Sequence, residues 1–315
     1  MERLQEIGQT AVAITDHGNM YAGVSIYKLC KDAGIKYIHG IEFYICDNAK
    51  ERDNSSRYYH LLALCKNEQG RQNLNKLVSI SNLPENFYYK PRIDFEILKE
   101  YKDGLIICSA CMAGEISKFL MKGDYGEAKR RALLYKAEFK EDYFLEIQAH
   151  RDEEQIALNQ QIVALASECD IPIVVTTDAH YVKEDDRPYQ NIYAFSGKYK
   201  EDGEGYIDCF VQSEDEVRQR LSYLDKKIVD DAIRNTDLIA ENCNVELPLS
   251  APIMPEITTP PEFDINESWL RAVCEQGCRD KLGFDINTLE DVTTPRFTME
   301  EKNLIKLVMN MSLIL

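Results

Sequence analysis

Two short phrases of this chain could do chemistry together. Ala11-Val12-Ala13-Ile14 is apolar and β-branched in part, and it stops on Thr15-Asp16-His17. Far downstream, Ile171-Pro172-Ile173-Val174-Val175 stops on Thr176-Thr177-Asp178-Ala179-His180. Three more polar residues fall at the ends of, or within, similar apolar runs. Glu42 sits in Gly40-Ile41-Glu42-Phe43-Tyr44, His60 opens His60-Leu61-Leu62-Ala63-Leu64-Cys65, and Cys111 follows Gly104-Leu105-Ile106-Ile107-Cys108. Imidazole, carboxylate and thiolate are the donors that zinc takes, and that mixed zinc, manganese and iron sites share. The candidate ligand set is therefore His17, Glu42, His60, Cys111, Asp178 and His180, and such a set suits activation of water against a phosphate ester. The chain has 5 histidines, so three of them at strand ends beside acids is a concentrated signal. The plainer alternative is a pair of core strands followed by capping residues. His39, inside a strand, reads as structural. Asp16, Glu146 and His150 read as second-shell or substrate-facing groups. Cys108 and Cys111 form a Cys-x-x-Cys without the second pair a zinc ribbon needs. Neither a glycine-rich phosphate loop nor a nucleophile elbow is present in the sequence.

Positioning these groups takes strands and helices in alternation. Six runs read as strands: from Ala11, Lys36, His60, Gly104, Tyr143 and Ile171. Helical spacing covers Tyr21–Ala33, Glu68–Ile80, Gly114–Met121, Tyr125–Phe139 and Glu153–Glu168, and Asp94 caps a short helix reaching Tyr101. Alternation of this kind predicts parallel βαβ units, an α/β architecture with chemistry beyond the strands' carboxyl ends. Beyond Val182 the pattern changes. Ser213–Leu221 and Lys227–Asn242 read as helices, a proline-rich linker spans 244–265, and one more helix covers Glu267–Leu282.

The 315 residues carry a net charge of −17, which argues against a surface that tracks nucleic acid along its whole length. No apolar stretch could span a bilayer and no signal peptide opens the chain. The expected compartment is the cytoplasm, without a membrane partner and with the 10 cysteines mostly reduced.

The motifs resemble one family. Thr15-Asp16-His17-Gly18-Asn19-Met20, Gly40-Ile41-Glu42-Phe43-Tyr44, His60-Leu61-Leu62 and Tyr89-Lys90-Pro91-Arg92 are similar to the amino-terminal PHP (polymerase and histidinol phosphatase) domain of bacterial DNA polymerase III alpha subunits. So are Ser109-Ala110-Cys111-Met112-Ala113-Gly114-Glu115, Phe144-Leu145-Glu146-Ile147-Gln148 and Thr177-Asp178-Ala179-His180-Tyr181. The resemblance implies a distorted seven-stranded βα barrel over 1–212, a helical extension over 213–243, the linker, and a palm-like start over 266–315 that degenerates at its end. It places His17, Glu42, His60, Cys111, Asp178 and His180 at metal-ligand positions, with Asp178 and His180 as the catalytic members. It implies a 3′–5′ proofreading exonuclease or a structural support within a DNA polymerase, and DNA and other holoenzyme subunits as partners. A free-standing phosphoesterase is the remaining alternative.

The sequence also departs from that pattern. The family's opening strand, with a His-x-His and an Asp, has no counterpart here. The expectation is an incomplete barrel whose neighbouring strands have unpaired edges. A divalent metal (Zn, Mn or Mg) is expected at reduced occupancy, at most one tightly held ion. Little or no exonuclease and no polymerase activity are expected.

Overall fold

The central strand is Lys36–Cys46, buried along all but its first residue. Such a run pairs on both sides, and here it does so with three partners. The strands in chain order are β1 (Ala11–Ile14), β2 (Lys36–Cys46), β3 (Tyr59–Cys65), β4 (Phe87–Tyr88), β5 (Lys90–Asp94), β6 (Leu105–Cys108), β7 (Tyr143–Gln148) and β8 (Ile173–Thr176). They form one sheet in the order β4-β5-β2-β3-β6-β7-β8, with β1 also on β2. The helices are α1 (Glu2–Glu6), α2 (Gly23–Ala33), α3 (Glu68–Ser81), α4 (Phe95–Glu100), α5 (Glu115–Met121), α6 (Tyr125–Phe139), α7 (Glu153–Cys169), α8 (Arg187–Ser196), α9 (Glu214–Arg220), α10 (Lys226–Asn242) and α11 (Asn266–Gly277). This computed structural model describes residues 1–53, 58–196, 207–249, 258–263, 266–283 and 285. Residues 250–257 and 264–265 of the proline-rich linker and the end from Asn287 lie outside the described residues. The chain forms two compact units, Met1–Leu247 and Pro248–Leu315.

All six expected strands are present, and the mixed α/β fold is a curled, unclosed sheet, the incomplete barrel the sequence implies. One expectation is corrected: the sheet is not all parallel. β3 runs antiparallel to both β2 and β6, while β1 and β5 run parallel to β2, β7 to β6 and β8 to β7. The reversal explains a feature of the sequence. A strand that runs backwards must carry its functional residue at its start to reach the face where the others end, and β3 opens with His60. Two further elements went unread. The hairpin of β4 and β5 holds Pro91 and alternating charge, which mask a strand, and α8 follows a polar stretch.

Side chains pointing away from the cavity pack against the helices. Ile41, Phe43, Leu61, Ile107, Leu145 and Ile147 are all essentially inaccessible, each contributing about 1.5–3 kcal/mol through burial. Local signals fix the helices behind them: Asp94 caps α4 by accepting from the Ile97 N–H at 3.0 Å, and Gly34 closes α2 at φ +69°.

Among the described residues β1 and β8 each pair on one side only, and a cavity of about 960 Å³ lies between them. The open edge of β8 is not bare. Asn235 Nδ2 of α10 donates to the Ile173 carbonyl at 2.7 Å, and Thr236 Oγ1 donates to the Val175 carbonyl at 3.1 Å. The edge expected to be unpaired is thus partly satisfied by a helix.

Candidate metal centre

Backbone hydrogen bonds draw four of the candidate ligands together. The Gly18 N–H donates to the Glu42 carbonyl at 2.8 Å and the Glu42 N–H to the Asp16 carbonyl at 3.1 Å, which ties the loop after β1 to β2. The His60 N–H donates to the Ala113 carbonyl at 3.0 Å, which ties the loop after β6 to β3. Two glycines make these approaches possible. Gly18 lies at φ +68°, and a Cβ there would stand 2.8 Å from the Tyr44 ring and 2.9 Å from Pro91. A Cβ on Gly114 would stand 2.1 Å from the Ser109 carbonyl oxygen.

The result is a cluster round one carboxylate. One potential ligand atom from each of His17, Glu42 and His60 lies within 4.8 Å of the other two. His17 Nδ1 makes a close contact with Glu42 Oε2, and His60 Nδ1 lies 3.1 Å from the same oxygen. Cys111 Sγ is 3.6 Å from His60 Nδ1 and 3.9 Å from Glu42 Oε1. Glu42 Oε2 is buried, and the two imidazoles are its nearest polar neighbours. Nitrogen, oxygen and sulfur donors converging about one buried carboxylate are a donor set that fits a metal ion. Burial would push the Glu42 carboxyl up, yet His17 and His60 together outweigh it and hold it at about 2. Contact with Glu42 raises His17, with burial opposing. Burial pushes the Cys111 thiol well up, with the Asp178 and Glu42 charges adding to it. A cation among these groups would reverse that last effect.

Asp178 and His180 come from the opposite side of the cavity. Their loop is strained: Asp178 sits at φ +44°, a conformation that persists where surrounding contacts impose it. His180 Nδ1 donates to the Asp178 carbonyl at 2.7 Å, and the His180 N–H donates to the Cys209 carbonyl at 2.8 Å. The His17 and His180 ring centroids are 5.9 Å apart. The two residues therefore face the cluster across the cavity they line together.

The three outlying candidates have separate places. Asp16 Oδ2 accepts from the Ala22 N–H at 3.1 Å, at the start of α2. His150 is buried and its Nε2 donates to the Thr177 carbonyl at 2.9 Å, which steadies the backbone just before Asp178. Glu146 is buried, accepts from Thr176 Oγ1 at 2.7 Å and from Gln148 Nε2 at 3.3 Å, and leaves Oε2 without a partner among the described residues. Burial pushes its carboxyl up to about 7. His39, read as structural, is buried, pairs with the Tyr37 hydroxyl at 2.8 Å, and is lowered by burial to about 4.

Sequence reasoning missed Asp208. It accepts from the Arg151 N–H at 2.8 Å and from the Arg151 guanidinium at 2.6 Å, and lies 3.3 Å from Arg220 Nε. Through this knot it holds the segment whose Cys209 carbonyl receives His180. Its partners lie 57 residues away or belong to α9, so no local pattern reveals it.

A model of the PHP domain matches residues 1–150. DNA polymerase III alpha subunits align over most of this chain. That of Treponema pallidum is 34% identical over 293 residues, 88% of this chain and 24% of that one. The Borreliella burgdorferi subunit is 33% identical over 290 residues, 89% of this chain and 25% of its own length. The Deinococcus radiodurans subunit is 36% identical over 256 residues, 77% and 19% respectively. The chain carries a PHP domain related to that of DNA polymerase III alpha subunits. It spans about a quarter of the length of the first two of these relatives. The match to the PHP model takes in His17, Glu42, His60 and Cys111 and ends at His150, so Asp178 and His180 lie beyond it. Among the described residues no helix is long and apolar enough to cross a membrane.

Proposed function

We propose that the face built by His17, Glu42, His60 and Cys111 is a one-ion phosphodiester site. In this reading it works at the end of a DNA strand, within a cytoplasmic replicative polymerase alpha subunit and its holoenzyme. The observation that carries the reading is the convergence of His17, Glu42 and His60, whose ligand atoms lie within 4.8 Å of one another about the buried Glu42 carboxylate. Such a donor set favours zinc, or manganese, over magnesium, which prefers oxygen alone. The chemistry an ion supplies there is Lewis-acid polarisation of a phosphate ester. The protein's own part is to keep Glu42 anionic at all ordinary pH values, to close one wall with Tyr44, and to hold Asp178 and His180 across from the bound ester. The helices of 213–243, the linker of 244–265 and the stretch from 266 read as the lead from this domain towards a polymerase palm.

One observation favours a second reading, a structural brace with a weak metal site. Asp178 and His180 are not members of the three-residue group whose ligand atoms converge. A 5′-labelled oligonucleotide incubated with the protein and Zn²⁺ or Mn²⁺ separates the two. Slow shortening from the 3′ end, abolished in Glu42→Ala, supports the hydrolytic reading. A bound ion without shortening assigns the brace, and a chain that binds no ion contradicts both.

A further inference from the structure

The loops at the lip of this face expose aromatic rings that the fold does not use. Tyr21 is 90% exposed and Tyr89 is 79% exposed. Tyr21 lies four residues past His17, and its N–H donates to Asn19 Oδ1 at 2.9 Å. Asn19 Nδ2 in turn donates to the His17 carbonyl at 3.0 Å. Tyr89 forms the turn between β4 and β5. The two loops abut where Gly18 leaves no room for a Cβ beside Pro91.

The turn is costly. Tyr89 sits at φ +59°, in the left-handed region that a bulky aromatic residue seldom adopts. Its ring is nonetheless propped. It meets Tyr88 edge-on with centroids 4.5 Å apart, and the Arg92 guanidinium lies 5.2 Å from the Tyr88 ring centre. Next in sequence, Lys90 Nζ lies 5.1 Å from the centre of the Tyr44 ring, which stacks on His17 at 6.4 Å. A cation therefore lies beside the candidate cluster of a strongly acidic chain, and the two exposed rings sit on the loops next to it in sequence. Strain kept at an exposed position is a mark of function rather than of packing.

The geometry points to Tyr89 and Tyr21 as a base-stacking lip that makes this site specific for a single-stranded DNA end, with Lys90 meeting a backbone phosphate. The inference rests on the phosphodiester reading of the face. Aromatic platforms beside a cation are the usual means of holding unpaired bases without reading their sequence. A small phosphate ester would need neither ring.

Fluorescence anisotropy with labelled dT8 and an abasic octamer of equal phosphate count tests this. Base stacking on two rings predicts that the unaltered chain binds dT8 about a hundredfold more tightly than the abasic strand. Tyr89→Ala and Tyr21→Ala should each weaken dT8 binding about tenfold and leave abasic binding unchanged, while Tyr89→Phe retains it. Tyr89→Gly, which removes the strain, should raise the melting temperature while losing dT8 binding. Equal binding of the two strands, or full dT8 binding by Tyr89→Gly, would overturn the proposal. Hydrolysis of bis(p-nitrophenyl) phosphate by the unaltered chain keeps the two readings apart. If it is absent while tyrosine-dependent dT8 binding persists, the phosphodiester reading fails and the lip stands.

Discussion

The two sides of the candidate site are built differently. On one side, His17, Glu42, His60 and Cys111 lie on loops and strands that exchange backbone hydrogen bonds with one another, so their positions are set together. On the other, Asp178 and His180 hang from β8, whose outer edge meets a cavity and α10 rather than another strand. Their placement depends on Thr177 held by His150 and on the Cys209 segment held by Asp208. Ligands placed by a shared strand ladder converge. Ligands placed by side-chain knots arrive nearby and stop short.

That contrast can be broken from either side. Asp208→Asn should have the largest effect on stability, about 3 kcal/mol, because the buried Arg220 loses the nearer of its two carboxylates and keeps only Glu184, at 3.7 Å. Chemical denaturation measures it. The contrast predicts that the variant still binds its ion under native conditions, since only the Asp178 side is loosened.

Glu146→Gln should come next, through its pH dependence. The folded state holds the Glu146 proton up to about 7, above the usual carboxyl value of 4.5, so native protein binds more protons than unfolded chain in that window. Stability of the parent should therefore fall as pH rises from about 4.5 to 7, by roughly 2–3 kcal/mol from this group. The glutamine variant should lack that decline, which melts at pH 5 and pH 8 would reveal. A decline of equal size in both proteins would show that Glu146 is not held neutral.

Gly114→Ala strikes the converging side. Its Cβ would meet the Ser109 carbonyl, at a cost of about 1–3 kcal/mol, and the Cys111 loop must shift to relieve it. Here, unlike Asp208→Asn, ion affinity should fall with stability, which titration calorimetry would record. The smallest effect belongs to Thr176→Val, which removes one hydrogen bond to Glu146 and should cost about 1 kcal/mol.

The sequence made the converging side readable because its residues end or open apolar runs, and period and position alone mark them. It was less informative about direction. His60 at the start of its strand stood out as an exception, and only the antiparallel setting of β3 makes it the rule. Arg92 was visible as part of a motif, but its burial was not. It is inaccessible because its guanidinium donates to the Ala49 carbonyl at 2.8 Å and the Glu51 carbonyl at 2.6 Å. Asp208 could not be read at all, since an acid acquires such a role only when distant arginines fold onto it. Long-range side-chain knots leave no periodic trace, whereas strand ends do.

Elemental analysis after exhaustive dialysis tests the central contrast most directly, run on the parent chain, Glu42→Ala and His180→Ala. The account predicts one equivalent of zinc or manganese per chain, lost in Glu42→Ala and retained in His180→Ala. Two or more equivalents in the parent, or loss of the ion in His180→Ala, would show that both sides of the site act as one centre.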